Sequence, residues 1–157
     1  MSVKALQYSL QSVKKLTSYL NSLDTLPVNN LVEEKIGVLK GFQFRFDQSS
    51  GILTIKVLTD FLCRTETPEP VKLFGGTIQC EYLFIDYQEI VKKTSDNQVD
   101  IPDDLLITLM SVSFSSARGM LAALTAGTDY QNIFLPLVNP QEFKTMLKSI
   151  ENKPETK

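Results

Sequence analysis

The chain has 157 residues, 43% of them hydrophobic and 22% charged, with a net charge of −2 and a pI near 5.2. Those figures describe one globular domain of ordinary size with room for a real core. They argue against an electrostatic grip on nucleic acid, since the lysines and arginines are scattered and the balance is acidic.

In chain order, the first segment is ambiguous. Val3, Leu6, Leu10, Val13, Leu16, Leu20 and Leu23 recur at threes and fours, which on periodicity predicts an amphipathic helix over 3–23. The lysines in MSVKALQYSLQSVKK flank a broken apolar pattern, so this stretch does not read as a signal peptide. Asp24 to Asn30, with Pro27, is a break.

From Ile36 to Asp47 the period becomes two. Phe42, Phe44 and Phe46 alternate with Gln43, Arg45 and Asp47, the mark of a half-buried strand. QSSG is turn chemistry, and ILTIKVLTDFLC (52–63) is a second strand with Leu53, Ile55, Val57, Thr59, Phe61 and Cys63 on one face. RTETPEP (64–70) is a loop of hairpin length. VKLFGGTIQCEYLFIDY (71–87) is a long third strand, and Gly75-Gly76 marks a bulge or a close backbone approach within it. If 64–70 closes a hairpin, Cys63 faces Val71 and Cys80 faces a residue near Thr54, so the two thiols cannot bridge and are expected buried and free.

Residues 88–100 turn polar and cross over to a long helix. Asp100 can cap it, Pro102 suits its first turn, and Asp103 and Asp104 complement the macrodipole. Apolar residues follow at helical spacing from Leu105 to Leu124. Ser111, Ser115, Gly119 and Ala122 or Ala123 form a stripe of small residues, which predicts close approach of the protein's own sheet or of a second helix. Gly127 is a natural stop.

TDYQNIFLPLVNP (128–140) is apolar yet twice broken by proline, so something must cover it: the core, another subunit or a ligand. Residues 141–150 predict a short helix with Phe143, Met146, Leu147 and Ile150 inward, and 151–157 is a polar tail, expected to be disordered. Strands first and helices after argue an α+β fold, an antiparallel sheet covered by a long helix, within a single domain over 1–150.

Catalytic apparatus is sparse. The chain has no histidine, the commonest general base and metal ligand. GVLKG (37–41) lacks phosphate-loop spacing, and neighbouring pairs such as Cys80–Glu81 point to opposite faces of a strand. No enzyme, cofactor or metal site is expected. No uninterrupted apolar run reaches 18 residues, so neither a spanning segment nor direct membrane insertion is expected, and the cytoplasm is the default.

Several segments carry a family resemblance. LTIKVLTDFLC, KLFGGTIQCEYLFID, the helix core FSSARGMLAALTAGT and IFLPLVNPQEF together resemble the SecB family of ATP-independent export chaperones, over most of residues 40–147. The Ser-Ala-Arg-Gly and Thr-Ala-Gly-Thr forms are more similar to its divergent, SecB-like branch. The resemblance implies a four-stranded antiparallel sheet followed by a long helix and a short C-terminal helix. It also revises the N-terminus: Lys14-Lys15-Leu16-Thr17 resembles the end of the family's first strand, so a strand is expected within 6–19.

For function, the resemblance implies a holdase for unfolded polypeptides or preproteins, assembled as a homotetramer, a dimer of dimers joined through the long helices. Client-binding residues carried over on this basis are Leu73, Phe74, Tyr82, Phe84, Tyr87, Tyr130, Phe134, Leu135, Leu137 and Phe143. Ser111, Ser115, Arg118 and Gly119 would lie at the subunit interface, Arg118 as a packing or salt-bridge residue. The family's ATPase partner SecA is implied too, with two departures: Thr77 stands near a family glutamate, and ENKPETK lacks the cysteines and histidine seen in some SecA tails. Some SecB-like proteins instead serve one client, the antitoxin of a toxin–antitoxin system, and that is the alternative implied here.

Overall fold

Alternation drives the sheet. In a computed structural model, which describes residues 7–89, 92–93 and 99–151, Ile36–Asp47 (β2) and Ile52–Cys63 (β3) pair antiparallel without a slip from Ile36↔Cys63 to Asp47↔Ile52. β4 (Val71–Ile85) pairs with the other side of β3, and β1 (Gln7–Leu20) with the other side of β4, giving the order β1-β4-β3-β2. The long helix α1 (Asp103–Thr125) and the short helix α2 (Pro140–Glu151) follow. This is the expected α+β fold, a four-stranded antiparallel sheet succeeded by a long and a short helix. A two-stranded ladder, Lys92–Lys93 (β5) with Val99–Asp100 (β6), lies in the crossover. Glu151 ends α2, so the tail begins one residue later than expected, and 152–157 lie outside the described residues.

The N-terminal segment is a strand, and its helical periodicity has a physical source. Relative to β4, β1 carries an extra residue at Gln11 and another at Leu16. Each bulge resets the alternation. The residues of β1 opposite inward side chains of β4 are therefore Tyr8, Leu10, Val13, Lys15, Ser18 and Leu20, spaced two, three, two, three, two. Of the recurring apolar residues here, Leu10, Val13 and Leu20 lie opposite inward positions of β4 and Leu16 is itself a bulge residue, so a doubly bulged strand, not a helix, underlies their spacing.

Between β3 and β4 the register runs from Cys63↔Val71, as expected, to Ile55↔Cys80, one residue off. An extra residue at Leu73 accounts for the shift. Both thiols are buried and free. Gly75 and Gly76 are the close approach: a Cβ on Gly75 would lie 2.3 Å from the Thr59 carbonyl oxygen, and one on Gly76 2.6 Å from that of Thr17.

α1 covers one face of the sheet, burying Leu109, Met110, Phe114, Ala117 and Leu121 against the inward residues of β3 and β4. Its start differs from expectation. Asp100 belongs to β6 and Pro102 is the cap residue, with no side-chain bond, so the charge of Asp103 and Asp104 alone complements the helix start. By length and composition alone α1 is long and apolar enough to cross a membrane. The expectation from uninterrupted runs missed this because serines and threonines dilute the run without adding charge.

Aromatic packing ties both helices to the sheet. Phe143 of α2 meets Phe42 of β2 and Phe114 of α1 edge-on, at 5.6 and 5.8 Å between ring centres. Phe61 stacks on Phe74 at 4.4 Å, and Tyr130 packs on Phe74 from above.

Candidate functional site: an apolar rim beside the β2 edge

The connection from α1 to α2 begins where Gly127, at φ +74°, turns the chain out of the helix. The Thr128 hydroxyl donates to the Thr125 carbonyl at 2.7 Å and accepts the Tyr130 amide at 3.2 Å. Tyr130 is buried, and its hydroxyl donates to the Asn21 carbonyl, which fastens the loop to the end of β1. Leu135 is a second buried anchor. Asn139 then caps α2 by accepting the Gln141 amide at 2.9 Å, with Pro140 at the first helical position.

Two buried anchors leave the residues beside them outside. Phe134 is 55% exposed and Leu137 82%. Phe134 borders an open hollow of about 450 Å³ between the rim loop and β2, whose apolar wall includes Leu31, Ile36, Val38 and Ile133. Sequence reasoning did not name Leu31, Ile36 or Val38; the pairing of β2 as an edge strand was needed to bring them to the loop.

The ten carried-over client residues do not form one surface. Leu73, Phe74, Tyr82, Phe84, Tyr130, Leu135 and Phe143 are core side chains. Tyr87 sits at the opposite end of the sheet, packed on Phe46 at 5.4 Å with its hydroxyl donating to the Gln48 carbonyl. Only Phe134 and Leu137 stand free in the rim. The cause is alternation: from Phe74 to Phe84 every second side chain of β4 points under α1.

Beneath α1, the Tyr82 hydroxyl lies 2.7 Å from Ser113 Oγ and donates to the Leu109 carbonyl at 3.2 Å. Burial pushes Tyr82 up to about 12 and raises the Cys80 thiol above its ordinary value. Cys80 is therefore a poor nucleophile here.

The small-residue stripe faces away from the sheet. Ser115 and Gly119 are exposed, Ser111 and Arg118 half-buried, and a Cβ on Gly119 would meet nothing within 4 Å. The protein's own sheet is thus not what the stripe approaches. Arg118 has no carboxylate partner among the described residues. Tyr8, Leu10, Val13 and Leu16 of β1 are exposed, as is Val112 of α1; periodicity alone puts Leu10, Val13 and Leu16 on a helix, where the structure has a strand.

On the sheet face away from α1, Gly37, Leu39 and Leu62 floor a second hollow of about 450 Å³, walled by the 64–70 loop. Farther along the same face, Tyr19 of β1 lies opposite Gly75, and its hydroxyl donates to Asp60 of β3 at 2.6 Å. The Tyr19 ring therefore crosses over that glycine.

No family model matches the chain, and no curated protein does. One solved structure similar to it is that of a protein of unknown function from Streptococcus agalactiae, at 12% identity and a TM-score of 0.35, covering 78% of this chain and 90% of that one. A likeness of that size carries no argument about function.

Proposed function

We propose that this protein is a SecB-like, ATP-independent holdase that binds unfolded polypeptides in the cytoplasm and keeps them competent for export. The observation that carries the reading is the rim: Phe134 and Leu137 are held out in solvent by the buried anchors Tyr130 and Leu135, with Phe134 beside a hollow whose wall includes Leu31, Ile36, Val38 and Ile133. Large apolar side chains held exposed by a loop pinned at two buried residues offer surface for contact with another chain. An unfolded chain supplies the matching apolar groups. The exposed group on β1 and the bare Gly119 on α1 supply a face for a second copy, in keeping with a homotetramer.

The alternative, a chaperone dedicated to one antitoxin-like client, is favoured by one position. Thr77, on the sheet face away from α1, puts no carboxylate where SecA docking would want one. Co-purification separates the two, since a single stoichiometric partner points to the dedicated form.

The test is suppression of aggregation of a chemically denatured client, without nucleotide. Suppression near one chaperone assembly per client is expected. A Phe134→Ala, Leu137→Ala double variant should need about tenfold more protein, two exposed apolar contacts contributing on the order of 1 kcal/mol or more together. No suppression by the unaltered protein at stoichiometric ratio ends the reading.

A further inference from the structure

Resting on that reading, we propose that an extended client segment adds to the β2 edge as a fifth strand, and that the hollows on the two faces of that edge read its successive side chains. Among the described residues the sheet ends at β2, which pairs with β3 on one side and runs without a bulge. Its outer edge offers backbone donors and acceptors to a strand.

Both hollows share Gly37 and Val38, one lying on each face of the sheet. Successive residues of a strand point to opposite faces, so neighbouring residues of the added segment would enter the two hollows in turn. Each hollow carries its own charge. The one beside α1 has Glu33 and Asp129 around the apolar floor of Ile36, Val38 and Phe134. The one on the far face has Arg64 as its charged wall residue, over Leu39 and Leu62.

The complement is a segment alternating between two kinds of side chain. Toward α1 it carries a large apolar or basic residue. Away from α1 it carries a long side chain with an acceptor tip, glutamate or tyrosine. Gly37 leaves room for the second kind, because a Cβ there would meet nothing within 4 Å. The fold already contains the matching arrangement, in Tyr19 lying across Gly75 to reach Asp60. A side chain opposite Gly37 would lie in the same manner toward Leu62, its partner on β3.

The probe is a labelled nine-residue peptide alternating Phe or Arg with Tyr or Glu, measured by fluorescence anisotropy against the unaltered protein. Three comparison peptides are used: the same residues regrouped in blocks, the alternating peptide N-methylated at three successive amides, and one with Lys for Glu. The N-methylated peptide should bind more than about tenfold more weakly through the loss of several strand hydrogen bonds, and the blocked peptide, which keeps its amides, more weakly through the loss of the alternation that fits the two hollows. Gly37→Ile, which the backbone has room for, should weaken the alternating peptide about fivefold by filling the far hollow. Arg64→Glu should weaken it about threefold and shift preference to the Lys peptide by a similar factor, the scale of an exposed ion pair. If the denatured client is held but the alternating peptide fails to bind, or binds no better than its N-methylated form, the edge assignment falls and the holdase stands. If neither client nor peptide is held, both fall.

Discussion

The two edges of this sheet are built on opposite rules. β1 is bulged at Gln11 and Leu16 and carries Lys14 and Lys15 near its middle. Bulges and edge lysines are devices that discourage strand addition. What β1 offers is a face, the exposed Tyr8, Leu10 and Val13 on the side that α1 covers elsewhere. β2 has no bulge, and its one inward charge, Lys40, is drawn off the edge by Glu142 at 3.6 Å and the Phe114 ring at 5.8 Å. It offers a backbone edge with Gly37 and Gly41 bare on one side. A folded surface can cover the first; an extended chain suits the second.

The largest effect should come from detaching β2. Phe143 is buried between Phe42 of β2 and Phe114 of α1, so Phe143→Ala should cost about 3–5 kcal/mol in denaturant unfolding. Hydrogen exchange should then rise in β2 well before β1, because α2 packs on the β2 side. Equal loosening of both edges would contradict the contrast.

Glycines give the next comparison. Gly75→Ala would drive a Cβ to 2.3 Å from a backbone oxygen, and overpacking of that kind costs about 1–3 kcal/mol. Gly37→Ala and Gly41→Ala meet open space and should be neutral or stabilising by about 0.5–1 kcal/mol. A melting series on the three variants measures both. Destabilisation by Gly37→Ala would mean that the β2 edge is less open than its geometry indicates.

The face of β1 is tested by charge. Leu10→Asp with Val13→Asp should leave the circular dichroism unchanged and lower the mass by light scattering toward the 17.7 kDa of one chain. The same pair of charges at Gly37 and Leu39 on β2 should leave the mass alone. A mass unmoved by the β1 variant would remove β1 from any subunit contact.

The same contrast explains what could be read from the residues alone. β2 and β3 were legible because Phe42, Phe44 and Phe46 alternate cleanly and QSSG closes their hairpin. β1 was legible only by family resemblance, since its bulges erase the period of two that identifies a strand. At the rim, exposed apolar surface was foreseeable from IFLPLV broken by proline, but which side chains face outward was not. Burial of Tyr130 and Leu135 decides it, and that depends on where β1 ends and on what Phe74 leaves uncovered. Leu73, Phe74, Tyr82 and Phe84 of β4 enter the client-binding set only through the family resemblance, and an aromatic strand looks alike whether it lines a groove or a core.

The smallest effect lies where β2 turns into β3. Asp47 accepts hydrogen bonds from the Ser49 hydroxyl at 2.7 Å, the Ser50 hydroxyl at 2.9 Å and the Ser49 amide at 2.9 Å. Those bonds, the Ser49 hydroxyl first, lower its pKa from 3.8 to about 2. The folded state therefore binds this proton less readily than the unfolded state. The turn's contribution is complete above about pH 4 and fades as pH falls through about 2. Because the carboxylate is in open solvent, the change is a local one, best followed by NMR titration of the Asp47 carboxyl. Ser49→Ala should move the midpoint up toward 3.8 and loosen the hairpin end of β2, leaving β1 untouched. A wild-type midpoint already near 3.8 would show that the hydroxyls do not hold the turn, and that the straightness of β2 rests on its pairing with β3 alone.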